Sequence, residues 1–173
     1  QAQGKEHFCY TILDDGHIGV GRILHPRITK KDAEVIRITL DNGEEITCTP
    51  DHKFMLRDGS YKQAKDLLLT DSLMPLQRQI SKIGKGISIK GYEMVLDNAE
   101  HRWVFTHLLA DEYNLRNKAY EKTAGTHRHH KDFRKSNNNP TNIVRMTRKE
   151  HWNLHQQFVH ELWNRPGFRE QHA

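Results

Sequence analysis

Five residues in the last third of the chain have the types and spacing to do chemistry: His129 and His130 in tandem, Asn142, and then His151 and His155. Imidazole is a ligand for transition metals, and with an ordinary pKa of about 6.5 it can also take a proton near neutrality. Residues four apart on a helix share one face, so His151 and His155 project together if their segment is helical. A strand bearing His129-His130, packed on that helix, brings one histidine of the tandem and both helical ones to a single metal ion. The neighbouring histidine is then free as a base. Hydrolysis of a phosphodiester needs these parts: a water deprotonated near pH 7, a divalent cation to offset the charge that builds on the phosphate, and cations to hold the backbone. The flanking Arg128, Lys131, Arg134, Lys135, Arg145, Arg148 and Lys149 are candidate DNA contacts. Two blander readings compete, a structural zinc site and a solvated basic face with scattered histidines. Structural zinc sites favour cysteine and take four ligands, whereas this segment has no cysteine.

The elements needed to hold these residues can be read locally. Gly125 to His130 is short and extended, and Lys131 to Pro140, with Asn137-Asn138-Asn139-Pro140, is loop. Ile143-Val144-Arg145-Met146 alternates as a half-buried strand does. Thr147-Arg148-Lys149-Glu150 is a capping box, which predicts a helix from Thr147 to about Trp163, stopped by Arg165-Pro166-Gly167. Upstream, Trp103, Val104, Leu108, Leu109 and Tyr113 have helical spacing over 102–114. The stretch from Gln77 to Lys90 reads as a basic, low-complexity linker with Gly84 and Gly86. From Glu34 to Leu76 the pattern is β: Val35 to Leu40, a turn at Asp41-Asn42-Gly43, a return over Glu44 to Thr49, then His52 to Leu56 and a turn at Arg57-Asp58-Gly59. Before that, a short strand is expected near Ile18–Ile23. Trp103, Trp152 and Trp163 are read as core in preference to base-stacking residues, and Phe168-Arg169-Glu170 as the start of another helix.

Composition bounds the function class. The chain has 173 residues, 27 Lys+Arg against 22 Asp+Glu, and 13 histidines. That length excludes a large multidomain enzyme. No apolar run approaches the roughly 20 residues of a membrane span, so a soluble protein without a membrane partner is expected. Residues 1–120 carry 17 basic and 17 acidic side chains, so the whole excess of +5 lies in residues 121–173, together with seven of the histidines. A basic, imidazole-rich segment points to a polyanion partner. Cys9 and Cys48 stand in unrelated contexts and cannot form a disulfide scaffold, which favours a reducing, cytoplasmic location.

The frame HHKDFRKSNNNPTNIVRMTRKEHWNLH resembles the ββα-metal motif of HNH homing endonucleases, over roughly residues 100–160. The resemblance implies that His129, His151 and His155 are metal ligands, His130 is the general base, and Asn142 fixes the hairpin and orients that base. It implies double-stranded DNA as partner and a divalent ion as cofactor, Mg²⁺ or Mn²⁺, with Zn²⁺, Ni²⁺ and Co²⁺ as alternatives. All-imidazole ligation suits transition metals better than Mg²⁺. Phe133 stands where relatives often have glycine, which bears on the shape of the loop.

A second resemblance lies in residues 16–76. Thr49-Pro50-Asp51-His52 is similar to the Thr-x-x-His block of intein (Hint) splicing domains, whose Thr and His activate a scissile peptide. Splicing also uses a Cys or Ser at the first junction and a terminal His-Asn, whereas this sequence begins Gln1-Ala2-Gln3 and ends Gln171-His172-Ala173. The expectation is therefore a vestigial splicing module. The fold expected is α+β: a small all-β Hint-like module over 1–76, a basic linker over 77–98, and a ββα-metal endonuclease domain over 99–173. The functional expectation is a metal-dependent endonuclease derived from or embedded in an intein. The alternatives are a zinc-stabilised DNA-binding module without turnover, or an intein splicing fragment.

Overall fold

A computed structural model of the protein describes residues 6–84 and 86–164. The expected helix stop at Arg165-Pro166-Gly167, the helix start at Phe168, and both chain ends lie outside the described residues. Among the described residues the architecture is mixed and strand-rich, with two α-helices. Two compact units form, one from residues 25–77 and the other, discontinuous, from residues before 25 and after 77.

Residues 25–77 contain two hairpins. β3 (Ile36–Thr39) pairs antiparallel with β4 (Glu45–Cys48), and β5 (Lys53–Met55) with β6 (Tyr61–Gln63). The turns are those the sequence encodes: Gly43 and Gly59 sit at φ +83° and +86°, where a side chain would be strained.

The discontinuous unit begins with β1 (His7–Ile12) paired to β2 (Ile18–Ile23). It continues with a three-stranded antiparallel sheet of β7 (Arg78–Ile80), β8 (Glu93–Asp97) and β9 (Arg102–Phe105). Helix α1 (Thr106–Arg116) follows β9 directly, and Ile18, Val20, Val95, Val104 and Leu109 form one core with Phe8, Tyr10, Ile12 and Tyr113 packed against it. The first strand of this unit thus belongs with residues after 77, not with the β module over 1–76. The expected linker over 77–98 likewise contains two paired strands, β7 and β8: Met94 and Val95, adjacent and so on opposite faces of β8, are both buried, and Val95 joins Leu109 of α1 in the core. The helix expected from residue 102 starts four residues later, since Trp103 and Val104 pair with Leu96 and Val95 in the sheet.

The third layer is β10 (His127–His130), antiparallel to β11 (Ile143–Met146), followed by α2 (Arg148–Trp163). The α2 capping box is formed: Thr147 Oγ1 accepts from Glu150 N, and Glu150 Oε2 accepts from Thr147 N at 2.7 Å. Trp152 lies on the outer face of α2, 62% exposed, so it is not core.

Buried Asp111 on α1 ties this hairpin to the rest of the unit. Arg145 grips its carboxylate with two bonds, Nε to Oδ1 at 2.7 Å and Nη2 to Oδ2 at 2.6 Å. Arg128 Nε adds a third at 2.9 Å and the Tyr120 hydroxyl a fourth at 2.9 Å. Burial opposes ionisation of this carboxyl, but the bonds from Arg145, Arg128 and Tyr120 outweigh it and hold its pKa below the ordinary range. Arg145 also reaches the Gly125 carbonyl at 3.0 Å. Removing one partner of a buried ion pair strands the others, so Asp111→Ala is expected to cost about 3–5 kcal/mol in urea unfolding, while Lys149→Ala on exposed α2 costs less than about 0.5 kcal/mol.

Candidate functional site

Successive strand residues point to opposite faces, and β10 separates its two tandem histidines in this way. His129 faces α2: its ring centroid lies 5.4 Å from that of His151 and 5.1 Å from that of His155, and the latter two are 4.5 Å apart. One ring nitrogen from each of the three lies within 4.8 Å of the other two. His151, Leu154, His155, Phe158 and Leu162 form the less exposed stripe of α2, at the i, i+3, i+4, i+7 spacing that turns a helix face inward. His127 lies two residues before His129 on β10, and its ring is 5.2 Å from His151. Sequence reasoning passes over it, although the period of two on a strand points to it.

Phe133 walls this cluster. Its ring stacks on Phe158 at 3.8 Å and meets His129 edge-on at 4.7 Å. Its backbone is left-handed, at φ +59°, a conformation that costs any residue but glycine about 1–3 kcal/mol. The loop shape thus survives a phenylalanine because the ring gains a stack.

The cluster suits a metal. His129 is 3% exposed, and its Nε2 is buried with no hydrogen-bond partner among the described residues. Burial first, and then the neighbouring His155 and His151, push its pKa down to about 4. Burial, with His155 and His127, lowers that of His151 as well. Neutral imidazoles offer their lone pairs without first losing a proton.

His130 lies against different neighbours. Its ring sits 6.1 Å from Tyr92 and 5.9 Å from His107, and its Nε2 is 3.0 Å from Asn138 Oδ1. The strand alternation gives it other ring neighbours than those of His129, although it stays close enough to be one of the groups that lower the His129 pKa. Asn142 is buried and holds the loop: it donates to Asp132 Oδ1 at 2.9 Å and to the Asn137 carbonyl at 2.8 Å, and accepts from Asp132 N.

Of the candidate DNA contacts, Arg134, Arg148 and Lys149 are exposed. Lys131 is exposed and bonds the Thr141 carbonyl, and Lys135 bonds the Lys90 carbonyl and lies 5.7 Å over the Tyr92 ring. Arg145 is not available to a phosphate, being 7% exposed and chelated to Asp111, and Arg128 is committed in part to the same carboxylate. In the other unit, Thr49 and His52 close a turn, with His52 N donating to the Thr49 carbonyl at 3.0 Å. The Thr49 hydroxyl bonds Asp51, which lowers the pKa of that carboxyl.

Comparison with known proteins decides the family. The model of the intein splicing domain matches residues 2–161. The chain belongs to the intein splicing domain family. This intein-family chain is 54% identical over 171 residues to a DNA gyrase subunit of Synechocystis, covering 98% of the chain and 16% of that relative. It is 50% identical over 40 residues to a subunit of DNA-directed RNA polymerase III from Dictyostelium discoideum, covering 23% of the chain and 2% of the relative. No solved structure matches it. The chain thus spans a small part of both curated relatives. Among the described residues, no helix is long and apolar enough to cross a membrane.

His107, absent from the sequence-based candidates, is buried beside His130. Burial first, and then the charges of His130 and Arg128, push its pKa down to about 4, with Asp111 opposing. Unfolded, the ring takes a proton near its ordinary 6.5; folded, it resists until about 4, so the folded state binds fewer protons across this window. Stability in urea is therefore expected to fall as pH drops from about 6.5 to about 4, and His107→Phe is expected to flatten part of that slope.

Proposed function

We propose that the chain is an intein segment that carries a metal-dependent DNA endonuclease in its discontinuous unit and splicing residues in residues 25–77. The observation that carries the nuclease reading is the group of His129, His151 and His155, with the unpartnered Nε2 of His129 buried among them. The strand, loop, strand and helix that hold them follow the order of a ββα-metal nuclease, and exposed Arg134, Arg148 and Lys149 lie on its loop and on α2. A divalent cation held by the three imidazoles would offset charge on the scissile phosphate and the leaving oxygen. His130 is the proposed proton acceptor for the attacking water, Asn142 keeps the loop in shape, and the exposed cations grip the backbone. Similarity confined to short parts of a gyrase subunit and a polymerase subunit is what an insert shared by unrelated hosts produces.

Supercoiled plasmid incubated with the protein and Mn²⁺, Co²⁺, Ni²⁺ or Mg²⁺ is expected to be cut, and EDTA to stop the cutting. In calorimetric titration with Mn²⁺ and Zn²⁺, His129→Ala and His151→Ala are expected to lose metal affinity. His130→Ala keeps that affinity but loses cleavage by about 10²–10⁴-fold. A protein that binds zinc and DNA but cuts under none of these conditions is the non-catalytic zinc-stabilised module instead.

The family match over residues 2–161 favours the second role, peptide-bond activation by Thr49 and His52. A nucleophile must attack the amide that these residues polarise. When flanks and the complementary intein segments are supplied, Thr49→Ala and His52→Ala are expected to reduce ligated product, as read by mass spectrometry.

A further inference from the structure

Glu93 on β8 gathers three donors. The Tyr10 hydroxyl lies 3.0 Å from Oε2, Arg78 Nη1 3.2 Å from Oε1, and Asn138 Nδ2 3.5 Å from Oε2. The other end of the Asn138 amide meets His130, with Oδ1 at 3.0 Å from Nε2. These contacts leave little freedom of assignment. A carboxylate accepts and does not donate, whereas a side-chain amide has one donating and one accepting end. Asn138 must turn its NH₂ group toward Glu93, which leaves its oxygen facing His130. An oxygen there requires a proton on Nε2, and a neutral imidazole protonated at Nε2 keeps its lone pair on Nδ1. The surroundings hold the ring in place: His130 is 6% exposed and lies against Tyr92 and His107.

We propose that Glu93, acting through Asn138, is a positioning residue that fixes His130 in the Nε2–H tautomer and leaves the lone pair on Nδ1. Its use in catalysis rests on the nuclease reading above; the tautomer does not. The partners come from β8, the 131–140 loop and β10, elements far apart in sequence, so the hydrogen-bond polarity set at Glu93 reaches the tandem histidine only in the folded unit.

The test is a two-bond ¹H–¹⁵N correlation spectrum of the histidine-labelled full chain, without metal or DNA, with the His130 signals assigned by their loss in His130→Gln. The Nε2–H pattern is expected for His130. In Glu93→Gln, whose amide can donate as well as accept, Asn138 is free to turn over, and a mixture of the two tautomers is expected. The Nδ1–H pattern in the wild-type protein, or an unchanged pattern in Glu93→Gln, overturns the proposal. In the plasmid assay with Mn²⁺, Glu93→Gln is expected to lower kcat about 10–100-fold, the range for residues that orient a functional histidine from behind, with KM and metal affinity unchanged. A Glu93→Gln protein that loses tautomer control but cuts at the wild-type rate overturns the positioning role. A wild-type protein that cuts nothing overturns the nuclease reading, while the spectrum still decides the tautomer.

Discussion

The carboxylate of Asp111 is buried on α1, and four donors from three separate stretches of chain converge on it. Taking a carboxylate and a guanidinium out of water costs several kcal/mol per ion, and only good geometry with further hydrogen bonds recovers it. Arg145 supplies the geometry through its two-pronged grip, and Arg128 and Tyr120 supply the further bonds. Both arginines belong to the hairpin of β10 and β11, so this cluster sets how the hairpin lies on α1. Asn114, one turn further along α1, bonds the carbonyls of Pro140 and Ile143 and pins the other end of the same hairpin. The placement of His129 and His130 thus depends on a polar anchor and not on apolar packing alone.

With the hairpin so anchored, its two faces have different surroundings. One presents His127 and His129 to α2, where the rings of Phe133 and Phe158 stack on one another and Phe133 meets His129 edge-on. The other sends His130 toward Tyr92, His107 and the Asn138 amide. On a regular strand the backbone itself keeps the members of such a tandem pair on opposite faces.

The histidine group on α2 is legible in the sequence because its signals are local. The capping box at Thr147 and Glu150 sets the register of α2, and that register puts His151 and His155 on one face. The turns at Gly43 and Gly59 are legible for the same reason. What fails to show is long-range. Nothing near Tyr10 tells that its hydroxyl meets Glu93, so β1 escapes notice and residues before 25 are read with the β module over 1–76. Arg145 reads as a DNA contact because its charge is visible in sequence and its partner Asp111 is not. Trp103 and Val104 fit a helical period but also a strand, and pairing with β8 decides between them. The Glu93–Asn138–His130 connection carries no local signature.

The discontinuity of the larger unit bears on how the chain is made. Tyr10 finds Glu93, His17 finds Asp97 at 2.8 Å, and Arg116 reaches the Val20 carbonyl only after residues 25–77 have been synthesised between them. The contiguous segment has all its strand partners once residue 77 has left the ribosome, and it can fold while the hairpin of β1 and β2 still waits with its apolar face uncovered. Contacts of such sequence separation carry a loop-closure cost before they return any stabilisation, which slows folding. In the interval in which Ile18, Val20 and Phe8 lack Val95 and Leu109 this apolar surface is open to aggregation, and the length of that interval is set by the rate of translation.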